Sequence, residues 1–159
     1  MKRSVALALA AMLVAAVAPL QLRGQMPGYM AKGTKPVTAE TVSILQLIAS
    51  PERYDGQRVQ VIGFLRLEFE GNGIYLHRED YDRGIPQNGL AIQLPTAMTK
   101  EQTDAVNMHY VICLGTFVAA PRGHFGLWSG TIKDIERLQV WPGHAWDHQP
   151  SSGHEPASQ

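Results

Sequence analysis

Three groups of residues have side chains that could do chemistry. The first is His144, Asp147, His148 and His154, near the C-terminus. Imidazoles and a carboxylate at such spacing suit Zn, Cu or Ni. A helix would bring His144 and His148 to one face, but Gly143 and Pro150 oppose a helix there. A solvated tail is the favoured reading, and metal handling by these four residues is the alternative. The second group is acidic: Glu68, Glu70, Glu79, Asp80 and Asp82. Calcium needs several converging oxygens, and this spacing matches no loop signature. Glycoside hydrolysis needs two carboxyls at a set separation, and nothing fixes such a pair here. Surface acids account for the group.

The third group is a glycine-rich stretch, Gly123, Gly126 and Gly130, with Arg122, His124 and Trp128 among them. A phosphate cradle needs a strand that leads into a helix N-terminus. Both flanks read as strands, so the phosphate reading fails. Tyr75, His77 and Tyr81 offer further rings on another segment, suited to stacking on a sugar or a peptide side chain. Tyr75 and Trp128 read equally well as core residues. Cys113, between Ile112 and Leu114, reads as a small buried hydrophobe. A nucleophilic thiol needs an exposed, electropositive setting. As the only cysteine it also excludes an internal disulfide. His77 and His109 are solitary. With no catalytic constellation, the chain reads as non-enzymatic and without a cofactor; an enzyme with an unrecognised site is the third choice.

The start of the chain reads as an address. Lys2 and Arg3 precede an apolar run over 5–20. That is the pattern of a secretory signal peptide, and it is short of the roughly 20 residues of a membrane span. Ala16-Val17-Ala18 offers a small-x-small cleavage site, but Pro19 follows it directly, so cleavage after Gly24 is the next choice. An uncleaved anchor is the competing reading. The expected organisation is a signal peptide over 1–24, a linker over 25–37, a folded domain over 38–142 and a disordered tail over 143–159. Export to the periplasm or beyond follows, with no membrane span left after cleavage. The 14 basic and 14 acidic side chains balance. Loss of 1–24 removes Lys2, Arg3 and Arg23, which leaves a net charge of −3. Nucleic acid is therefore disfavoured as a partner.

The elements that must position these residues are mostly strands. Thr38 is expected to cap a helix carrying Val42, Ile44, Leu45 and Ile48, ended by Pro51. Residues 57–69 alternate, with Val59, Val61, Leu65, Leu67 and Phe69 on one face and Gly63 within that row. A glycine there marks a bend or close backbone approach. Gly71-Asn72-Gly73 is a hairpin signal, and residues 74–77 form the return strand. A charged loop over 78–86 leads to a third strand over 89–94. Thr99 and Gln102 frame a capping box for a short helix to Val106. The run over 110–119 is a strand buried on both faces, and 125–140 is a fifth strand with a bulge near Lys133-Asp134.

Strand, strand, strand, helix, strand, strand, with a bent first strand, resembles the OB-fold. The likeness is sharpest at Tyr54-x-Gly56-x-x-Val59-x-Val61-x-Gly63, which is similar to small exported bacterial OB-fold proteins. Residues 131–138 resemble their closing strand. The expected fold is mainly β: a five-stranded OB-fold-like Greek-key barrel, with an N-terminal helix and a short helix between strands 3 and 4. In that fold the ligand groove lies between the first hairpin and the loop joining strands 4 and 5. The resemblance thus implies Tyr75, His77, Arg122, His124 and Trp128 as ligand-binding residues. The function it implies is an extracytoplasmic binding module for a protein, peptide or envelope saccharide.

Overall fold

The computed structural model describes residues 26–33, 39–69, 71–121 and 123–143, without the side chain of His124. Among these residues the strands are β1 (Gly28–Met30), β2 (Glu40–Thr41), β3 (Arg58–Arg66), β4 (Gly73–Tyr75), β5 (Gly89–Ile92), β6 (Tyr110–Val118) and β7 (Thr131–Val140). The α-helices are α1 (Ile44–Ala49), α2 (Pro51–Tyr54), α3 (Arg78–Asp82) and α4 (Lys100–Val106). β3 pairs antiparallel with β4, and β4 with β5. β5 runs parallel to β7, β7 antiparallel to β6, and β6 returns antiparallel to β3. Five pairings close a ring, which is the OB-fold-like barrel expected from the sequence, and β1 and β2 add to the edges of β7 and β3 that the ring leaves over. No described helix is long and apolar enough to cross a membrane.

Closure depends on β3 serving two partners. Arg58 to Phe64 pair with β6, while Phe64 to Arg66 pair with β4. Gly63 sits where the two ladders meet. A Cβ there would stand 2.6 Å from the Tyr75 carbonyl oxygen, 2.7 Å from Ile44 Cδ1 and 2.8 Å from Ile74 Cγ1. The glycine read as a bend is therefore a close-approach site. The bulge expected in β7 is also present. Asp134 takes φ 49°, and the β6–β7 register slips between Leu114 and Thr116. Inside the ring, Val59, Val61, Leu65, Ile74, Leu90, Cys113, Phe117, Ile132 and Leu138 form one buried cluster.

Several elements differ from the sequence expectation. Ser43, not Thr38, caps α1: its Oγ accepts from the Gln46 N–H at 3.2 Å, and Gln46 Oε1 accepts from the Ser43 N–H at 2.8 Å. Val42 precedes the helix and is buried there. Pro51 ends α1 but also starts α2, where its missing N–H costs nothing. Residues 28–30, within the expected linker, pair with Arg137 to Gln139 of β7, and Tyr29 packs on the core. β3 ends at Arg66, so Phe69 leaves the sheet and is 99% exposed. Gly71-Asn72-Gly73 is not a two-residue turn. Arg66 pairs with Gly73, and Asn72 Oδ1 accepts from the Glu68 N–H at 3.0 Å to hold a longer loop. The return strand stops at Tyr75, and α3 occupies the expected charged loop. β7 begins at Thr131 rather than Phe125. The Thr99–Gln102 capping box of α4 is as read.

Gly63→Ala should lower stability by about 1–3 kcal/mol, since backbone lies on one side of the new methyl. The denaturation midpoint reads this directly, and an unchanged midpoint would contradict the close approach.

Candidate functional site

The period-two alternation of β3 turns Val61, Gly63 and Leu65 inward and Phe64 outward. Phe64 is nonetheless buried, in a second cluster with Tyr75, Ala91 and Trp128, against which Tyr81 packs. A row of rings crosses this outer face. Centroids are 5.7 Å apart for Tyr110–Phe64, 6.2 Å for Phe64–Tyr81, 5.7 Å for Tyr81–Tyr75 and 5.1 Å for Tyr75–Trp128. Three of these contacts are edge-to-face, the arrangement the ring quadrupoles favour. Arg78 lies over Phe64 and Arg66 over Tyr81, at 5.8 and 5.3 Å from the centroids.

Glycines make room for Trp128. A Cβ on Gly73 of β4 would overlap the indole ring, one on Gly89 of β5 would lie 3.2 Å from Cζ3, and one on Gly123 would lie 2.5 Å from Cδ1. The indole fills this slot and divides the face into two hollows. One, of about 500 Å³, is walled by Phe69, Asn72, Gln93 and Thr131. The other, of about 370 Å³, is walled by Glu68, Tyr81, Pro86, Phe125 and Leu127. Two rings stand open at the rims: Phe69 is 99% exposed and Phe125 83%. Phe125 also takes φ 58°, a left-handed conformation rare for a bulky residue.

One charged network borders the smaller hollow. Arg66 Nε donates to Glu68 Oε1 at 2.9 Å and to Tyr81 Oη at 3.0 Å, and Tyr81 Oη donates to Glu68 Oε1 at 3.1 Å. Burial alone would lower the Arg66 pKa; the bonds to Glu68 and Tyr81 outweigh it and raise it. Burial, with Glu68 close by, pushes the Tyr75 phenol up to about 12. The Cys113 thiol, fully buried in the barrel, is also pushed up to about 12, which suits a core residue rather than a nucleophile.

Of the residues singled out in the sequence, Tyr75 and Trp128 are brought into contact and are nearly buried. His77 stands apart from both hollows. Its N–H donates to Asp80 Oδ2 at 3.0 Å at the start of α3, and its ring is exposed. Arg122 and the His124 side chain lie outside the described residues, as do His144, Asp147, His148 and His154. Of the acidic group, Glu70 lies outside the described residues; Glu68 pairs with Arg66, Asp82 with Arg78, and Asp80 accepts from Asn88 Nδ2 at 2.7 Å. Among the described residues no three metal-ligating side chains converge. Phe64, Arg66 and Phe69 are residues of the face that sequence reasoning missed, while Phe125 and Leu127 lie within the loop expected to frame the groove. For Phe64 the signal was present, an apolar residue on the second face of β3.

No protein-family model matches the chain, and no curated protein matches it. The class is therefore defined by the barrel and its outer face: an OB-fold-like barrel bearing an aromatic groove.

Trp128→Ala should cost about 3–5 kcal/mol, because it empties a glycine-lined slot. Phe125→Ser should stay within about 0.5 kcal/mol, as expected for an exposed rim. Equal losses in chemical denaturation would contradict this division. A second expectation concerns pH. The Tyr75 phenol rises from an ordinary 10.0 to about 12 in the fold. Its contribution to stability is intact below pH 10 and is lost as pH rises through 12. Tyrosinate absorbance should show a late ionisation that Tyr75→Phe removes; a single phase near 10 would contradict the burial.

Proposed function

We propose that this chain is an exported, non-enzymatic module that binds a protein or peptide partner in the groove on the outer face of its barrel. The carrying observation is the pair of exposed phenylalanines, Phe69 and Phe125, set on the two loops that frame the Tyr75–Trp128 floor. Water-exposed aromatic side chains at the rims of a groove gain free energy when a partner covers them. The floor is already packed, so binding would cost little ordering there. An envelope saccharide is the weaker partner, because a sugar stacks on an open ring face and Tyr75 and Trp128 are 7% and 6% exposed. Export is supported by the Lys2-Arg3 start and the apolar run over 5–20. Metal handling rests on tail residues outside the described ones and gains no support from the barrel.

The exported protein should begin between Pro19 and Gln25 by mass spectrometry of the native chain; an intact Met1 in the cytosol would overturn export. Partner capture from an envelope extract should fall at least about tenfold in the Phe69→Ser, Phe125→Ser double variant, the loss of two buried apolar contacts. Unchanged capture would overturn the groove as the binding site.

A further inference from the structure

Two large rings and a leucine face water on one side of the barrel. Phe69 is 99% exposed, Phe125 83% and Leu127 49%. The backbone holds Phe125 out at φ 58°, a left-handed conformation that a bulky residue adopts only at a cost. At about 200 Å² for a fully exposed ring, the two phenylalanines present roughly 350 Å² of apolar surface, before Leu127 is counted. A standard interface takes about 800 Å² from each partner, a little over half of it apolar. The patch therefore comes near the apolar share of one side of a stable dimer. The same face carries hollows beside its rings. Phe69 walls the hollow of about 500 Å³, Phe125 that of about 370 Å³, and Trp128 lies on both. Glu68 is the only charged side chain among the described residues lining the two hollows, and Arg66 pairs with it at 2.9 Å. Covering the face thus leaves no unpaired charge among them.

We infer that the partner in the groove is a second copy of this chain, related by a two-fold axis at Trp128 that sets Phe69 of each copy into the smaller hollow of the other, against its Phe125. This rests on the reading of the groove as a protein-binding site, and it names the partner. A two-fold interface uses one patch twice, so that patch must be complementary to itself. Rings and hollows set on either side of a central residue meet that requirement. With the axis in the plane of the face, the Phe69 side of one copy lies over the Phe125 side of the other, and the reverse holds at the far end. Each hollow is then completed by a ring from the other copy. A different protein would have to present two rings and two hollows in this same order. The paired charge of Glu68 and Arg66 also lets two identical faces meet without repulsion.

Sedimentation equilibrium of the native chain, isolated as it occurs in the cell, is the test. The parent should dimerise reversibly. Phe69→Lys and Phe125→Glu should each weaken the dimer at least about tenfold, because two-fold symmetry counts every substitution twice. Both positions are exposed, so circular dichroism of either variant should match the parent. Mixing the two variants should recover association. One end of the mixed dimer then joins Phe125 to Phe69, and the other joins the introduced cation to the introduced anion. A parent that stays monomeric up to its solubility limit would overturn the inference. So would a dimer that either substitution leaves intact, or a mixture that associates no more tightly than its parts. Failure of the groove reading itself shows separately, as envelope capture indifferent to the Phe69→Ser, Phe125→Ser change. A monomeric parent whose capture still needs those two rings would leave the groove as a site for a different protein.

Discussion

A short segment of β3 has to lie against β6, β4 and α1 at once. At Gly63 the Tyr75 carbonyl, Ile44 and Ile74 leave no space for even a methyl group. Everything else in the barrel follows from that approach. It lets one strand pair with β6 on one side and with β4 on the other, so five strands close into a ring. It also fixes phase. With Gly63 turned inward, Phe64 must face outward, and the second cluster grows from it.

That outer cluster is an unusual use of apolar residues. In a small barrel most large side chains are needed inside, and here Phe64, Tyr75, Ala91 and Trp128 are buried outside. The loop that carries Trp128 is held to the barrel by the indole in its glycine slot and by Thr131 Oγ1, which donates to the Pro121 carbonyl at 2.6 Å. The same anchoring holds Phe125 and Leu127 out at the rim. Packing on one side of the loop and exposure on the other are thus one arrangement, and it gives the groove a firm floor with open walls.

Much of the barrel was legible in the sequence, because its signals are local. Alternation in 57–65, the lone glycine at 63, the Thr99–Gln102 box and the irregular period near Asp134 each act within a few residues. The misread elements have non-local causes. Phe69 continues the alternation of β3, but the sheet ends at Arg66 because β4 begins pairing only at Gly73. The strand at 28–30 has weak propensity and exists because β7 offers it an edge. In the groove, Tyr75 and Trp128 could be picked out by type, but their mutual contact could not. It depends on Gly73, Gly89 and Gly123, which lie in three separate segments and show no common pattern in the chain.

The floor of the groove is packed, yet the Trp128 indole N–H reaches solvent. Hydrogen exchange at the Trp128 indole nitrogen in the free protein tests it most directly. The expected result is exchange far faster than that of the backbone amides of β6 around Cys113, despite the burial of the ring. Exchange as slow as those amides would mean that the indole N–H is already bonded or sealed, and the groove would then be only a second core.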